Sequence, residues 1–109
     1  MLKLWITTEV CDMSKKLPPI HPGEVLREEF MLPLGLSSNA LAKAINVTPA
    51  RVNDIVRERR GISADTALRL ARYFGTDAQS WLNLQQHYDL ECAKDALGTQ
   101  LAKIGRRAA

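Results

Sequence analysis

The chain has 109 residues, room for one small domain and not two, and its 46% apolar content is that of a globule rather than a disordered tract. Only 6% of it is aromatic, so Leu, Ile, Val and Ala have to build the core. A formal charge of +3 permits a nucleic-acid partner without demanding one, and no apolar run reaches membrane-span length. No secretory signal is evident, so the cytoplasm is the expected compartment.

Residues 1–17 read as a flexible N-terminal extension outside the compact domain. Leu4, Trp5, Ile6 and Val10 are apolar, but Thr7 and Thr8 break any helical face. A short strand over residues 2–8, able to pair with a partner's edge, is one expectation. Met13-Ser14-Lys15-Lys16 resembles an ordinary protein start, so the first twelve residues also read as an extension from an upstream start codon.

Pro18 and Pro19 stiffen the approach to a helix expected over about 22–31. Pro22 suits its first turn, and Glu24 favours the same end electrostatically. Val25, Leu26 and Phe30 form its inward face, with Arg27, Glu28 and Glu29 toward solvent. Pro33 is expected to stop it and Gly35 to loosen the connection. His21 lies far from His87, the other histidine, and no carboxylate pattern joins them. A capping or surface histidine fits better than a ligand. Cys11 and Cys92 form no CxxC pair; Cys11 belongs to a loose end and Cys92 is a small hydrophobe on a helix. No metal and no cofactor is expected.

Residues 38–57, SNALAKAINVTPARVNDIVR, carry the organising feature, two short helices meeting at a tight corner. Ser37 can cap the first, about 38–45, and Leu36 and Leu41 have staple spacing around that cap. Leu41 and Ile45 share a face. Val47 plugs the corner, and Ala42 is small enough for a close crossing. Asn46 occupies a corner position that favours positive φ, which Asn tolerates. Thr48 caps the second helix, about 49–57, with Pro49 at its first position. Val52 and Ile55 face inward.

Such a corner can place its second helix in a DNA major groove. Ala50, Asn53 and Arg57 then share one outward face, flanked by Arg51 and Asp54. Arg can read guanine, Asn can read adenine, and Ala50 can touch a thymine methyl. Asp54 can orient Arg51 or Arg57, or accept from cytosine. Ser38 and Asn39 at the preceding N-terminus form a candidate phosphate clamp. The following run, RERRG, places Arg57, Arg59 and Arg60 against Glu58, a local charge suited to the DNA backbone. A salt-laced surface helix is the competing reading.

Ser63 caps a fourth helix, about 64–74, with Asp65 in its first turn. Ala67, Leu68, Ala71 and Phe74 line its inner face, with Leu70 beside it, and Arg69 and Arg72 point outward. Gly75 ends it. Asp77 caps a fifth helix, about 78–95. Its stripe of Trp81, Leu84, Tyr88 and Cys92 is the candidate dimer interface, with Trp81 rooted in the monomer core. Two-fold pairing would set two recognition helices about one DNA turn apart; a helix that merely covers its own core is the alternative. Residues 97–109 read as a basic tail in which Lys103, Arg106 and Arg107 carry no acid. This tail could attract DNA or an RNA-processing partner. The serines serve better as caps than as nucleophiles, and no Gly-rich phosphate loop is present, so no enzyme is visible.

Residues 18–90 resemble a known family, the HigA-type antitoxins, also called virulence-associated protein I, within the Xre/Cro-like helix-turn-helix class. The matching runs are PPIHPGEVLREEFMLPLGLS, LAKAINVTPARVNDIV and RRGISADTALRLARYFGTDAQSWLNLQQHYDL. The resemblance implies an all-α, five-helix, lambda-repressor-like domain over 18–96. It implies a homodimer that binds operator DNA and represses its own toxin–antitoxin operon. It also implies a partner, a small basic HigB-type toxin related to RelE that cleaves translated messenger RNA. By position it implies a backbone contact for Ser38, and places Thr48, Arg51, Asn53 and Arg57 near bases or adjacent phosphates. Asn46 departs from the family's usual Gly. Charge sign alone makes Glu24, Glu28 and Glu29 candidate toxin contacts, with the N-terminal extension as the alternative. A stand-alone repressor with the same DNA surface and a helical adaptor that binds no DNA are the competing functions.

Overall fold

The computed structural model describes residues 18–107. The expectations placed on residues 1–17, including the strand and Cys11, lie outside the described residues. Helix α1 comprises Pro22–Val25, a π-helical Leu26–Met31 and Leu32–Leu34 in one continuous run. Next come α2 (Ser38–Ile45), α3 (Pro49–Val56), α4 (Ala64–Phe74) and α5 (Ala78–Leu97). Gly98–Lys103 adds a 3₁₀ turn where an unstructured tail was expected. No strand occurs among the described residues.

Local chemistry sets the helix ends. Ser37, Thr48, Ser63 and Asp77 each accept a backbone N–H three residues on with the side chain, at 3.0 to 3.4 Å. All four act as the sequence predicts. The predicted stop at Pro33 is overturned, because α1 runs past it to Leu34. Pro33 has no N–H to give, and its ring would crowd the carbonyl four residues back in an α-helix. The π turn opens that register, with Leu32 N–H donating to the Arg27 carbonyl. Gly35, at φ 66°, then closes the helix, and Leu36 N–H returns to the Met31 carbonyl at 2.9 Å.

The core is one cluster in which Leu26, Leu41, Val52, Ile55 and Leu70 are almost fully buried. Met31, Val56 and Ile62 belong to it as well. Phe30 packs against both Phe74 and Trp81 in tilted geometry, with ring centroids 4.8 and 5.2 Å away. Leu68 is 63% exposed, which overturns its predicted inward position. The inner face of α4 runs through Ala67, Leu70 and Phe74, and Leu68 falls off that stripe into an open groove beside Ala44 and Tyr73.

The entry to α1 locks it onto α3. His21 is the cap, buried, with Nδ1 accepting Gly23 N–H at 2.8 Å. The neutral ring therefore carries its proton on Nε2. Tyr88 meets the imidazole edge-on at 4.7 Å. Gly23 lies so close to α3 that an added Cβ would stand 1.8 Å from the Ile55 carbonyl oxygen. Arg27, expected toward solvent, instead donates to the Val56 carbonyl at the C-terminus of α3. That end carries the partial negative charge of the helix dipole, which explains the attraction.

Burial pushes the His21 pKa below its ordinary 6.5, with Glu58 and Asp89 pulling partly the other way. The unfolded chain therefore binds the proton more readily than the fold does. This contribution is fully present above the unfolded pKa of 6.5 and is lost as pH falls from there toward the lower folded value. His21→Asn, whose amide oxygen can cap without titrating, should flatten the stability profile below that point. Urea denaturation of both proteins between mildly alkaline and mildly acidic pH checks it. Parallel profiles would contradict the assignment.

Candidate nucleic-acid interface

The corner between α2 and α3 is built as a left-handed turn. Asn46 sits at φ 57°, ψ 50°, as predicted, and Val47 N–H returns to the Ala42 carbonyl at 3.0 Å. Val47 packs half-buried against the core, and Ala42 is buried at the crossing. With Leu41, Ile45, Val52 and Ile55 inside, α3 is held by one face. Its other face presents Thr48, Ala50 and Arg57 exposed, with Arg51, Asn53 and Asp54 half-buried.

The outward polar groups are not equally free. Arg51 Nη1 donates to Asp65 Oδ2 on α4 at 2.8 Å. Asp65 also accepts from Arg69 Nε at 3.1 and 3.2 Å. Hydrogen bonds from Arg51 and then Arg69 hold the Asp65 carboxyl below its ordinary pKa. Arg69, predicted outward, reaches across to the last carbonyls of α2, Ile45 at 2.9 Å and Asn46 at 3.2 Å. Asp54 pairs with Arg59 at 3.0 Å, so its expected role of orienting Arg51 or Arg57 is corrected. The chain reverses immediately after α3, bringing Arg59 N–H to the Asp54 carbonyl at 2.8 Å. This return places Arg59 rather than Arg57 beside the carboxylate.

Glu58 makes that reversal at φ 62°. Gln85 of α5 then supports the loop from behind, accepting Ile62 N–H at 2.7 Å. Arg57 and Arg60 are exposed and make no ion pair among the described residues. Ser38 and Asn39 stand in the first turn of α2, where helix geometry leaves backbone N–H groups without intrahelical acceptors. The surface thus offers donors from two helix starts and guanidinium groups from α3 and its loop.

The remaining predicted sites fare differently. Trp81 is 3% exposed, and its Nε1 donates to Thr76 Oγ1 at 2.9 Å. It is a core residue, which removes it from the dimer candidates. Tyr88 packs on His21 within the same chain, and hydrogen bonding to Cys92 pushes its phenol above the ordinary pKa of 10.0. Leu84 is half-buried and lines an apolar groove with Val25 and Phe30. Glu28 pairs with Arg27 at 3.1 Å, while Glu29 is exposed. Among the described residues no group of three His, Cys, Asp or Glu side chains could hold a metal ion, and no helix is long and apolar enough to cross a membrane.

Sequence reasoning missed Asp65 and Arg69 as parts of this surface. Their spacing of four on one helix signals a local ion pair, but their partners Arg51, Ile45 and Asn46 are brought in only by the tertiary fold.

An all-helical domain with a capped α2, a left-handed corner and a capped α3 is a helix-turn-helix protein of the Xre/Cro class. The Helix-turn-helix family matches residues 26–81. Virulence-associated protein I of Dichelobacter nodosus is 67% identical over 81 residues, covering 74% of this chain and 75% of that protein. Antitoxin HigA-1 of Vibrio cholerae is 36% identical over 75 residues, 69% of this chain and 70% of that one. A solved structure described as Pseudomonas aeruginosa antitoxin HigA with higBA promoter superposes with a TM-score of 0.80. It is 53% identical and covers 84% of this chain and 99% of its own. The chain belongs to the HigA-type, virulence-associated protein I family of helix-turn-helix proteins, which is not an enzyme class.

Proposed function

We propose that this protein is a dimeric, DNA-binding antitoxin that represses its own operon and neutralises a small basic mRNA-cleaving toxin. The observation that carries the DNA part is the similarity to HigA with its promoter, over 84% of this chain, together with a helix-turn-helix family match whose residues 26–81 include both α2 and α3. In this reading Ser38 and Asn39 hold a phosphate at the start of α2. Thr48, Ala50, Arg51 and Asn53 face base edges in the major groove. Arg57, Arg59 and Arg60 lie on the backbone and position the protein without specifying sequence. Asp54 contributes indirectly, by folding Arg59 back over the end of α3.

Dimerisation is assigned to the edge of α5 that carries Leu84, which packs only partly against its own core. Leu84, with Tyr88 and Cys92 beside it, presents the half-buried strip that a second copy would cover. The toxin is assigned to the acidic face of α1. Glu29 supplies the most accessible charge there, and Glu24 and Glu28 flank it on the same helix.

Purification of the tagged protein with the product of the adjacent reading frame tests the toxin part. A stoichiometric small basic protein, toxic alone and harmless in the complex, is the expected result. Charge reversal at Glu28 and Glu29 should weaken that complex. If an expressed neighbour never co-purifies, the antitoxin reading fails and a stand-alone repressor takes its place.

A further inference from the structure

The ion pairs at the α3–α4 junction form one connected chain. It starts at the Ile45 and Asn46 carbonyls, passes through the Arg69 guanidinium to the Asp65 carboxylate, and ends on Arg51. Each link is a charge-assisted hydrogen bond between 2.8 and 3.2 Å. The anchored end is the helix-turn-helix corner itself. The free end is the guanidinium on the first turns of α3.

We infer that Asp65 is a positioning residue for DNA reading, fixing the Arg51 guanidinium so that its remaining donors face the operator. The inference rests on the DNA-binding reading above. A guanidinium has five N–H donors in a rigid fork. Asp65 engages Nη1, leaving the other amino group and Nε for a guanine edge or a phosphate. An unrestrained Arg loses rotamer freedom when it docks; one already held loses less. The side chain of Asp65 is 55% exposed, so the pair does little for stability. Its carboxylate also disfavours phosphates that approach without the matching Arg51 contact. Both effects act on the ratio of specific to non-specific binding. The low pKa of Asp65 keeps the carboxylate charged throughout the neutral range.

The test compares Asp65→Asn with the native protein on two duplexes, the promoter region of its own gene and a shuffled duplex of the same length. Affinity for the promoter duplex should fall about fivefold or more, while affinity for the shuffled duplex stays equal or rises. In the Arg51→Ala background the same change should have almost no further effect, since the two act as one unit. Thermal melts establish that the variants are folded. Equal shifts on both duplexes, or effects of the two substitutions that simply add, would overturn the inference while leaving DNA binding intact. A native protein that fails to distinguish the duplexes would overturn the DNA-binding reading, and this inference with it.

Discussion

Gly23→Ala should cost the domain about 3 kcal/mol or more, a large share of the roughly 5–15 kcal/mol that holds a domain of this size together. The added methyl would sit 1.8 Å from the Ile55 carbonyl oxygen and 2.8 Å from its carbon, and both atoms are backbone. No rotamer change can relieve that contact. Either α1 lifts from α3 or α3 shifts. Lifting also pulls Arg27 from the Val56 carbonyl. Gly35→Ala is the natural comparison. Nothing stands within 4 Å of its Cβ, but its φ of 66° is a left-handed conformation. Its cost should be only about 1 kcal/mol. Urea denaturation of the three proteins gives the comparison directly. A Gly23→Ala midpoint close to that of the native protein would contradict the proposed close approach.

Arg51→Ala should lower operator affinity about tenfold or more, within the roughly 1–3 kcal/mol a bidentate base contact supplies. Affinity for unrelated DNA should change far less. Arg60→Ala should behave differently, because Arg60 lies on the loop after α3 with no ion pair among the described residues. Its loss should weaken binding to all sequences alike and flatten the logarithmic salt dependence by about 0.9 per lost phosphate contact. Fluorescence anisotropy across a salt series separates the two patterns. Equal operator affinity for the native protein and Arg51→Ala would remove Arg51 from the recognition surface.

Features governed by a few neighbouring residues were legible in the sequence. Ser37, Thr48, Ser63 and Asp77 cap their helices because a short side-chain oxygen need only reach three residues forward. Asn46 takes the left-handed corner because its own side chain tolerates that conformation. The inward face of α3 followed from spacing, as did most of α2.

What escaped depends on contacts between helices. Pro33 reads as a stop, yet a π turn upstream carries α1 past it. Leu68 has the composition of a core residue and lies outside the stripe that α4 buries. Arg27 and Arg69 read as solvent charges, but each finds the carbonyl end of another helix. Arg51 was legible as a candidate reader; its tether to Asp65, fourteen residues away, was not. The His-Pro-Gly sequence at 21–23 held a constraint that spacing rules do not express, the need for a bare backbone against Ile55.

Hydroxyl-radical footprinting of the purified protein on the promoter region of its own gene would show whether the α2–α3 surface binds DNA as a dimer. Two protected patches are expected on one side of the duplex, centred about one helical turn, roughly 34 Å, apart, as a two-fold dimer with two α3 helices in successive major grooves would leave. Uniform cutting at low salt and saturating protein, with the same preparation folded by circular dichroism, would contradict it.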